Sequence, residues 1–531
     1  MEVNKNKYIL ENKRWVFSSL IFSILILLPV LVLLLNFFSG DQTTLHYLFS
    51  TVLFDYSLNT LYLILITSLA SFVLGVFPAW VISNYNFYGR KFFDIALYLP
   101  LAIPSYIMAF TYIDILNYTG PFQTFLRKYP FLPSDFFNVD YLQIELLGIL
   151  LGLSLYPYVY TASRISFSLI GSNYINVSKN LGLSTLQTFY RVILPLSKPA
   201  IISGLFLVVM EVLNEYGAVQ YFGINTFTSG IFRSWFSLGD INGAIQLACI
   251  LLIFVLLLFY LEKKSLKNSQ FYYSKNSDVF SGKLKKTSKP LLVYLMCVIP
   301  FLFGFILPVF FIINNTFHSF SETNFTKLFD LVGNSIFVSS FSAIFIIAIA
   351  LFLLFVNRIS KIKSLSFINT LVSLGYALPG AVIGLGLILL FSSYSLVGSF
   401  IILFYAYIIR FLAVGKSPIK SSIEKQPESF DDTGKNLGLG PFKLLRQIHL
   451  PVNKYALISA FILVFIDVLK ELPITLILRP FNFDTLATQT YEFAVEEMLP
   501  LSSIYSLIII VLSSMMLLIL KNFIDKQLNV S

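Results

Sequence analysis

Charged side chains are scarce in this sequence. Only 12% of the 531 residues are Asp, Glu, Lys or Arg, about half the fraction found in an ordinary soluble domain. Hydrophobic residues make up 57% of the chain, and its mean hydropathy is +0.80. This composition excludes a soluble globular protein, because water would not tolerate so apolar a surface. It predicts an all-α integral membrane protein with many helical spans.

Cysteine and histidine are also rare. The two cysteines, Cys249 and Cys297, lie inside apolar runs and give no sign of a disulfide framework. The three histidines, His46, His318 and His449, are far apart in the sequence. They form no recognisable metal-binding or catalytic set, so we expect no enzyme.

A motif for binding ATP is missing as well. Gly415-Lys416-Ser417 is the only Gly-Lys-Ser triplet, and a phosphate-binding loop needs another glycine five residues before its first member. That position holds Arg410. We therefore expect that the chain binds no cofactor and does not use ATP itself.

Apolar runs of about 20 residues, the length that a bilayer requires, occur twelve times. In the first half they lie near 15–38, 58–83, 93–117, 142–165, 199–219 and 242–262. In the second half they lie near 290–314, 334–356, 368–392, 395–414, 455–477 and 500–520. The first run is too long for a cleavable signal peptide, so we predict about twelve transmembrane helices with the first one retained.

The basic residues are distributed unevenly among the predicted loops. The loops assigned to the outside contain five of the 37 Lys and Arg residues, namely Arg127, Lys128, Arg233, Lys327 and Arg479. Cytoplasmic loops are enriched in basic residues. We therefore predict a multi-pass membrane protein, in contact with membrane lipid, with both termini in the cytoplasm. The same asymmetry explains the net charge of +10 without nucleic-acid binding.

One segment of the chain occurs twice. Lys179-Asn180-Leu181-Gly182-Leu183 returns unchanged 256 residues later as Lys435-Asn436-Leu437-Gly438-Leu439. Other pairs at that offset are Pro195 and Pro451, Glu211 and Asp467, and Glu215 and Glu471. Earlier in each half, the matching residues are 275 positions apart: Asn59 pairs with Asn334, and Pro104 with Pro379. Matched polar positions indicate a duplicated unit with a shared role.

The duplication predicts the domain organisation. Six spans in each half give both copies the same orientation, so the halves are parallel repeats. We predict a first half at 1–262, a second half at 290–531, and a basic cytoplasmic linker at 263–289. The change of offset places extra residues of the first half in the outside loop near 117–143.

Each copy of the repeated segment predicts two short helices joined at a glycine. We name these segments the first elbow (174–195) and the second elbow (430–451). Gly182 and Gly438 lie at the turns, where positive φ would suit glycine. One interpretation is a structural loop on the bilayer surface. The other is a docking element, because two equivalent elbows suit a two-fold symmetric partner.

Local signals predict where the elbow helices begin and end. Ser184-Thr185-Leu186-Gln187 matches a capping box, and Gly440-Pro441 places proline at a favoured first helical position. Pro195 and Pro451 are predicted to end the second helix of each elbow before the next span.

The elbows resemble a known family of membrane proteins. Permeases of binding-protein-dependent ABC importers carry an acidic residue and two alanines, then a glycine after three intervening residues, and Ile-x-Leu-Pro after nine more. Gly182 with Leu194-Pro195, and Gly438 with Ile448 and Leu450-Pro451, match that spacing. The opening triplets depart from it, since Asn176-Val177-Ser178 lacks the acid and both alanines, and Asp432-Thr433-Gly434 keeps only the acid.

The resemblance implies a type I (MetI-like) importer permease of the bacterial cytoplasmic (inner) membrane, with two kinds of partner. A periplasmic or lipid-anchored binding protein would deliver the substrate, and two copies of a separate ATPase subunit, which uses the ATP, would dock on the elbows. The implied coupling residues of the first elbow are Asn176, Lys179, Leu181, Gly182, Leu183 and Pro195. Those of the second elbow are Asp432, Lys435, Leu437, Gly438, Leu439 and Pro451.

A narrower resemblance begins in the fifth span of each half. The stretches 210–217, 221–223 and 227–232 resemble the first half of fused ferric iron permeases. The stretches 467–473 and 478–487 resemble the second half. The substrate implied by this resemblance is ferric iron.

Acidic residues inside the predicted fifth spans indicate a translocation pathway, because intramembrane charge is costly. Glu211 and Glu215 share a helix face, as do Asp467 and Glu471. Hard oxygen ligands suit a trivalent cation, so these four are candidates for transient metal contact, without a stable site. Tyr216 and Lys470 are the other pathway candidates.

Alternatives to the pathway remain open for these residues. Lys470 could serve only to pair with a neighbouring acid, and Glu215 and Glu471 could lie hydrated at the outer membrane edge. Arg164 and Arg410, near the predicted inner ends of the fourth spans, are expected to extend to the cytoplasm.

Alternative functions also remain open. Within the family, the substrate could instead be thiamine, a polyamine, or an anion such as sulfate or a sugar phosphate. From another class, an ion-coupled secondary transporter with duplicated halves would need no ATPase.

Overall fold

A computed structural model describes residues 2–39, 42–128, 139–170, 174, 177–178, 180–267, 285–286, 290–394 and 396–530. Within these ranges nine helices are long and apolar enough to cross a membrane, and three bent helix pairs raise the number to twelve. All twelve predicted runs have a counterpart among them. The prediction of an all-α membrane protein with about twelve spans is confirmed.

The first half contains α-helices of very different lengths. They are Glu2–Ser39, Gln42–Thr51, Leu53–Asn84, Arg90–Ala96, Ser105–Leu116, Pro121–Lys128, Ile144–Leu169, Thr185–Thr188, Leu194–Asn214, Gly217–Tyr221, Phe227–Phe232 and Ile241–Lys267. A 3-10 turn covers Leu99–Ala102, and π-helical turns cover Phe189–Ile193 and Arg233–Ser237.

The second half repeats this plan. Its α-helices are Pro290–Phe301, Leu307–Ser319, Phe325–Ser360, Lys363–Val372, Gly380–Phe391, Phe400–Glu424, Ser429–Asn436, Pro441–Leu444, Leu450–Val452, Lys454–Leu469, Pro473–Leu478, Leu486–Val495 and Leu499–Val530. Its 3-10 turns are Phe320–Glu322 and Ser373–Ala377, and its π-helical turns are Leu302–Ile306 and Leu445–His449.

The predicted linker is mostly outside the described residues. Two short strands, Tyr85–Asn86 and Lys285–Lys286, pair in parallel, with Tyr85 opposite Lys285 and Asn86 opposite Lys286. Basic linker residues therefore lie beside the turn between the second and third spans. The domain boundaries at 262 and 290 stay predictions.

The third span of each half is broken at a proline. Arg90–Ala102 meets Ser105–Lys128 at 91°, and Lys363–Ala377 meets Gly380–Phe391 at 111°. Pro104 and Pro379 cause both breaks, because the residue before a proline is driven into an extended conformation. Ile103 has ψ 114° and Leu378 has ψ 126°. Each break leaves backbone carbonyl oxygens without helical partners.

The fifth span of the first half corrects a prediction. Pro195 does not end the elbow helix, because Leu186–Asn214 is one continuous span. The π-helical turn Phe189–Ile193 precedes the proline, with the Leu194 N–H bonded to the Phe189 carbonyl oxygen. This wider turn accommodates a residue that lacks an N–H.

The second copy behaves differently at the same place. Pro451 lies inside a short helix that ends at Val452, one residue later, and a bend of 77° separates Pro441–Val452 from Lys454–Leu469. The predicted helix end is therefore close to the observed one in the second elbow only.

The first span of each half packs on the other half. Leu25, in the first span, accepts a hydrogen bond from Tyr405, and a Cβ added at Gly386 would lie 2.6 Å from the carbonyl oxygen of Pro29. In the reverse direction, Tyr112 donates to the Phe303 carbonyl oxygen at 2.5 Å. This exchange holds the two halves against each other around a shared apolar core.

The repeat is visible in equivalent hydrogen bonds. Asn59 donates to the Asn225 carbonyl oxygen and Asn334 to the Asp484 carbonyl oxygen, both at 3.0 Å. Thr226 and Thr485 each begin a short helix with a reciprocal capping box. These matched details fix the polypeptide that follows each fifth span at the same place in the two halves.

Candidate functional site

A cavity of about 80 Å³ lies between the two halves. All six predicted pathway residues line it: Glu211, Glu215, Tyr216, Asp467, Lys470 and Glu471. The predicted meeting of the two fifth spans at the interface is therefore present in the structure. Their part in transport stays a prediction.

Two of the carboxylates accept hydrogen bonds from backbone N–H groups. Glu215 accepts from the Ala218 N–H at 3.0 Å and from the Ser105 hydroxyl. Glu471 accepts from the Ile474 N–H at 3.0 Å and the Thr475 N–H at 3.2 Å. These acids cap the helices that follow each fifth span, where free N–H groups favour a negative charge. Glu471 is 5% exposed, so the alternative that it is hydrated at the membrane edge is wrong.

The other two carboxylates lie one helical turn earlier. Glu211 accepts a hydrogen bond from the Tyr376 hydroxyl of the second half. Asp467 is 3.5 Å from the Lys470 ammonium group, which agrees with the predicted pairing of Lys470 with a neighbouring acid. Across the described ranges, no three His, Cys, Asp or Glu side chains are placed to hold one metal ion together.

Arg410 overturns an expectation from the sequence. It does not extend to the cytoplasm but lines the cavity and is 3% exposed. Its Nη1 donates to Asn214 Oδ1 at 2.5 Å and to the Leu378 carbonyl oxygen at 3.3 Å. Arg164 is half-buried and pairs with Asp94 at 3.3 Å. The sequence shows only an arginine near the end of an apolar run, so the inward direction of Arg410 had no local signal.

Both elbows share one backbone motif. Gly182 has φ +78° and Gly438 has φ +76°, which confirms the predicted positive φ. The Leu183 N–H bonds to the Ser178 carbonyl oxygen, and the Leu439 N–H bonds to the Gly434 carbonyl oxygen, both at 3.0 Å. This bond across five residues, with a left-handed glycine before its donor, is a Schellman helix ending.

The predicted starts of the elbow helices are also present. Ser184 and Gln187 exchange hydrogen bonds of 2.9 and 3.3 Å as a capping box. Pro441 occupies the first turn of its helix after Gly440. Asn176 and Lys179 lie outside the described residues, so these two coupling candidates stay predictions from the sequence.

Equivalent apolar side chains are exposed on the two elbows. Leu181 is 75% exposed and Leu437 is 74% exposed. At the next matched position, Leu186 is 70% exposed and Phe442 is 62% exposed. Apolar groups that the chain leaves uncovered at two related places indicate a contact surface.

The second elbow is anchored by a polar network. Asp431 accepts from Arg358 Nε at 2.5 Å and lies 2.7 Å from His449 Nε2. Although burial raises the pKa of Asp431, these contacts with His449 and Arg358 outweigh it and hold that pKa below the usual value. A cavity of about 350 Å³, open to solvent, lies beside Arg358 and Asp431 and continues to Lys435.

The first elbow is anchored by aromatic packing. The ring of Phe189 lies 5.0 Å from Trp80, 6.0 Å from Phe77 and 6.4 Å from Phe167. The positions equivalent to Asp431 and His449 hold Ile175 and Ile193. His449 and Asp431 are residues that the sequence did not single out, although the loss of their polarity in the first copy was a usable signal.

Gly415 and Lys416 lie in the middle of the helix Phe400–Glu424. Lys416 is buried and donates to the Asn369 carbonyl oxygen and to Ser373 Oγ, both at 2.8 Å. This stretch is therefore not a phosphate-binding loop.

Comparisons with known proteins agree with this architecture. Residues 71–263 match the family described as binding-protein-dependent transport system inner membrane component. The chain is 26% identical over 479 residues to the Fe(3+)-transport system permease protein FbpB 2 of Haemophilus influenzae, covering 88% of this chain and 90% of that protein.

Shorter similarities reach permeases with other substrates in their names. The sulfate transport system permease protein CysT of Salmonella typhimurium is 27% identical over 166 residues, 31% of this chain and 57% of that protein. The molybdenum transport system permease protein ModB of Haemophilus influenzae is 28% identical over 157 residues, 29% of this chain and 65% of that protein. These proteins are transport permeases, which favours a transport subunit over an enzyme. The chain is therefore similar to the inner-membrane permeases of binding-protein-dependent transport systems, and over 88% of its length it resembles a ferric iron permease.

Proposed function

We propose that this permease imports ferric iron. The observation that carries the proposal is the cavity between the halves, to which each fifth span contributes two carboxylates. Carboxylate oxygens are hard ligands that suit a hard trivalent cation.

A binding protein on the outside would deliver the iron, and a separate ATPase would supply the energy. We propose two copies of that ATPase, one on each elbow, with both chain termini on the same cytoplasmic side. The matched Schellman turns present Leu181 and Leu437 in the same way, which suits a two-fold symmetric partner. ATP-driven closure of the ATPase would then move the halves and open the cavity alternately to the two sides.

Uptake of radioactive ferric iron tests the proposal. Membrane vesicles carrying the permease with its cognate ATPase and binding protein should accumulate ⁵⁵Fe only when ATP is present. Glu211→Gln combined with Asp467→Asn should lower the uptake rate at least tenfold, because charge-assisted contacts are worth about 1.5–3 kcal/mol. Glu145→Gln is the matched control, since Glu145 is exposed outside the cavity and bonded to Tyr62 at 3.0 Å. Uptake without the ATPase subunit would sink the importer proposal.

The elbow contact has a separate test. Leu181→Ser with Leu437→Ser removes exposed apolar groups, so the thermal stability of the permease should stay within about 0.5 kcal/mol. ATPase binding and ATP-dependent uptake should both fall. Leu238→Ser is the control, because Leu238 is 70% exposed on a predicted outside loop. Equal ATPase binding by the double variant and the parent would remove the elbows from the interface.

An oxyanion is the second candidate substrate. Arg410 favours it, because a buried guanidinium group is suited to recognise carboxylate, phosphate or sulfate oxygens. Competition of ⁵⁵Fe uptake by sulfate or molybdate separates the candidates. Loss of iron uptake together with ATP-dependent uptake of ³⁵S-sulfate would favour the oxyanion.

A further inference from the structure

One hydroxyl group in the cavity has no hydrogen-bond partner. Tyr106 is 3% exposed and lines the cavity, yet its Oη makes no hydrogen bond to any described residue. The other two tyrosines that line the cavity are partnered, Tyr158 with Tyr376 and Tyr216 with Tyr491. A buried polar group without a partner is costly, so the Tyr106 hydroxyl indicates that something in the cavity completes its bonding.

The break in the third span places this tyrosine between the two halves. Pro104 interrupts the helix, and Ser105 and Tyr106 begin the next one. A Cβ added at Gly217, just after the first fifth span, would lie 2.9 Å from Tyr106 Cβ and 2.8 Å from Leu472 Cδ2. The Tyr106 side chain therefore packs where the ends of the two fifth spans meet.

Two carboxylates, one from each half, act on the Tyr106 hydroxyl. Glu215 and Glu471 both interact electrostatically with it, and both line the same cavity. The second half has no counterpart of this phenol, because the equivalent position, 275 residues later, is Ala381. The cavity therefore contains an unpartnered phenol oxygen beside two carboxylates, and all three groups are hard oxygen donors.

Tyr156 shows that a buried hydroxyl alone does not make a site. This residue belongs to the fourth span, and its Oη also lacks a partner among the described residues. It lies outside the described lining of the cavity, and the ionisable group that acts on it is the buried thiol of Cys297. Tyr106 differs because it combines the unpartnered hydroxyl with a cavity and two carboxylates.

We propose that the Tyr106 oxygen binds the ferric ion during its passage between the halves, together with Glu215 and Glu471. This inference rests on the proposed function. Binding breaks the phenol O–H bond and forms an iron–oxygen bond, and the released proton passes to one of the two carboxylates. Iron stays ferric throughout, so no electron is transferred.

The same surroundings allow the ion to leave. The two carboxylates repel a further negative charge beside them, so the Tyr106 hydroxyl keeps its proton until a strongly charged cation is present. When ATP-driven motion of the halves draws Glu471 away from Tyr106, the ion loses a ligand and the proton returns to the phenol. A ligand set that is divided between two moving halves therefore holds the ion only while they are together.

Tyr106→Phe tests this role, because it removes the hydroxyl oxygen and retains the ring. In proteoliposomes that contain the permease with its ATPase and binding protein, the rate of ATP-dependent ⁵⁵Fe(III) uptake should fall by about tenfold or more. The melting temperature should equal or exceed that of the parent, because no hydrogen bond is lost. Tyr156→Phe is the matched control, since it removes another buried, unpartnered hydroxyl and should leave uptake unchanged.

Visible spectroscopy is the second measurement. A ferric ion bound to phenolate absorbs visible light by charge transfer from oxygen to iron, a band that carboxylate ligands do not give. The purified complex of permease and ATPase, without the binding protein, is titrated with ferric nitrilotriacetate. We expect the band in the parent and in Tyr156→Phe, and its loss in Tyr106→Phe.

The outcomes separate the inference from the proposed function. Equal ⁵⁵Fe uptake by Tyr106→Phe and the parent overturns the inference and leaves the ferric function intact. Equal losses in Tyr106→Phe and Tyr156→Phe also overturn it, as does a loss in Tyr106→Phe alone when the parent shows no phenolate band, because the hydroxyl would then act without touching iron. Absence of ATP-dependent ⁵⁵Fe uptake by the parent overturns both.

Discussion

The two elbows have the same backbone but are held to the membrane domain by different chemistry. Each ends its first helix with a left-handed glycine and the same hydrogen bond across five residues. The first is packed through Phe189 against aromatic rings, and the second is tied through Asp431 to Arg358 and His449. Duplication has therefore preserved the backbone turn and the exposed leucine beside it, while the anchors beneath the turn have diverged.

The largest expected difference between the elbows follows from Asp431→Ala. Removing one member of a buried ion pair leaves Arg358 uncompensated, which costs about 3–5 kcal/mol. Thermal unfolding of the purified permease should show this loss, and ATP-dependent uptake should fall because the second elbow is no longer fixed to the spans. Glu428→Gln is the control, since Glu428 and Lys361 form an exposed pair at 2.7 Å, and exposed pairs contribute little to stability. Equal effects of the two substitutions would show that the network is not an anchor.

The matching change in the first elbow is Phe189→Ala. Loss of a buried aromatic ring costs about 3 kcal/mol here, the lower end of the usual range, because the exposed Tyr190 ring lies 5.1 Å away and can move into the gap. This loss should not depend on salt, whereas the effect of Asp431→Ala should change with ionic strength. Unfolding curves of both variants at low and high salt provide the comparison. An identical salt response would contradict the assignment of different anchors.

The fold could be predicted because the signals for it occur in both halves of the sequence. Twelve apolar runs predicted the spans, and the 256-residue offset predicted the parallel halves and the matched glycines. The prediction that Pro195 ends a helix was wrong, because a π-helical turn accommodates the proline inside a continuous span. A local rule for proline cannot include an adjustment that depends on packing one turn earlier.

Only some of the residues that line the cavity could be predicted from the sequence. The acids of the fifth spans were found because intramembrane charge is rare. Arg410 was missed because its partners, Asn214 and Glu471, are distant in the sequence. The capping role of Glu215 was also hidden, since the helix break after Asn214 is not marked by a proline in the first half. Such contacts depend on the tertiary arrangement of broken helices.

Acid should loosen the second elbow and leave the first unchanged. The pKa of Asp431 is lower in the folded protein than its ordinary value of 3.8, so its contribution to stability is complete above that value. Protonation during unfolding becomes favourable only below it, and the contribution is lost as the pH falls through the folded pKa. Hydrogen exchange of 430–451 should therefore increase below about pH 4, while that of the described part of 174–195 should not. Asp431→Asn should abolish the difference in pH dependence.

The smallest expected effect tests what the elbows share. Gly182→Ala and Gly438→Ala each place a side chain at positive φ, which costs about 1 kcal/mol. Beyond the two adjoining residues, no atom lies within 4 Å of the added Cβ at either position, so the penalty comes from the backbone alone and should be equal in the two elbows. Thermal unfolding of the two single variants measures it, and the double variant should show the sum because the sites are independent. A much larger loss at Gly438 than at Gly182 would mean that the polar anchor makes the second elbow more rigid, so that the shared turn is not energetically equivalent in the two copies.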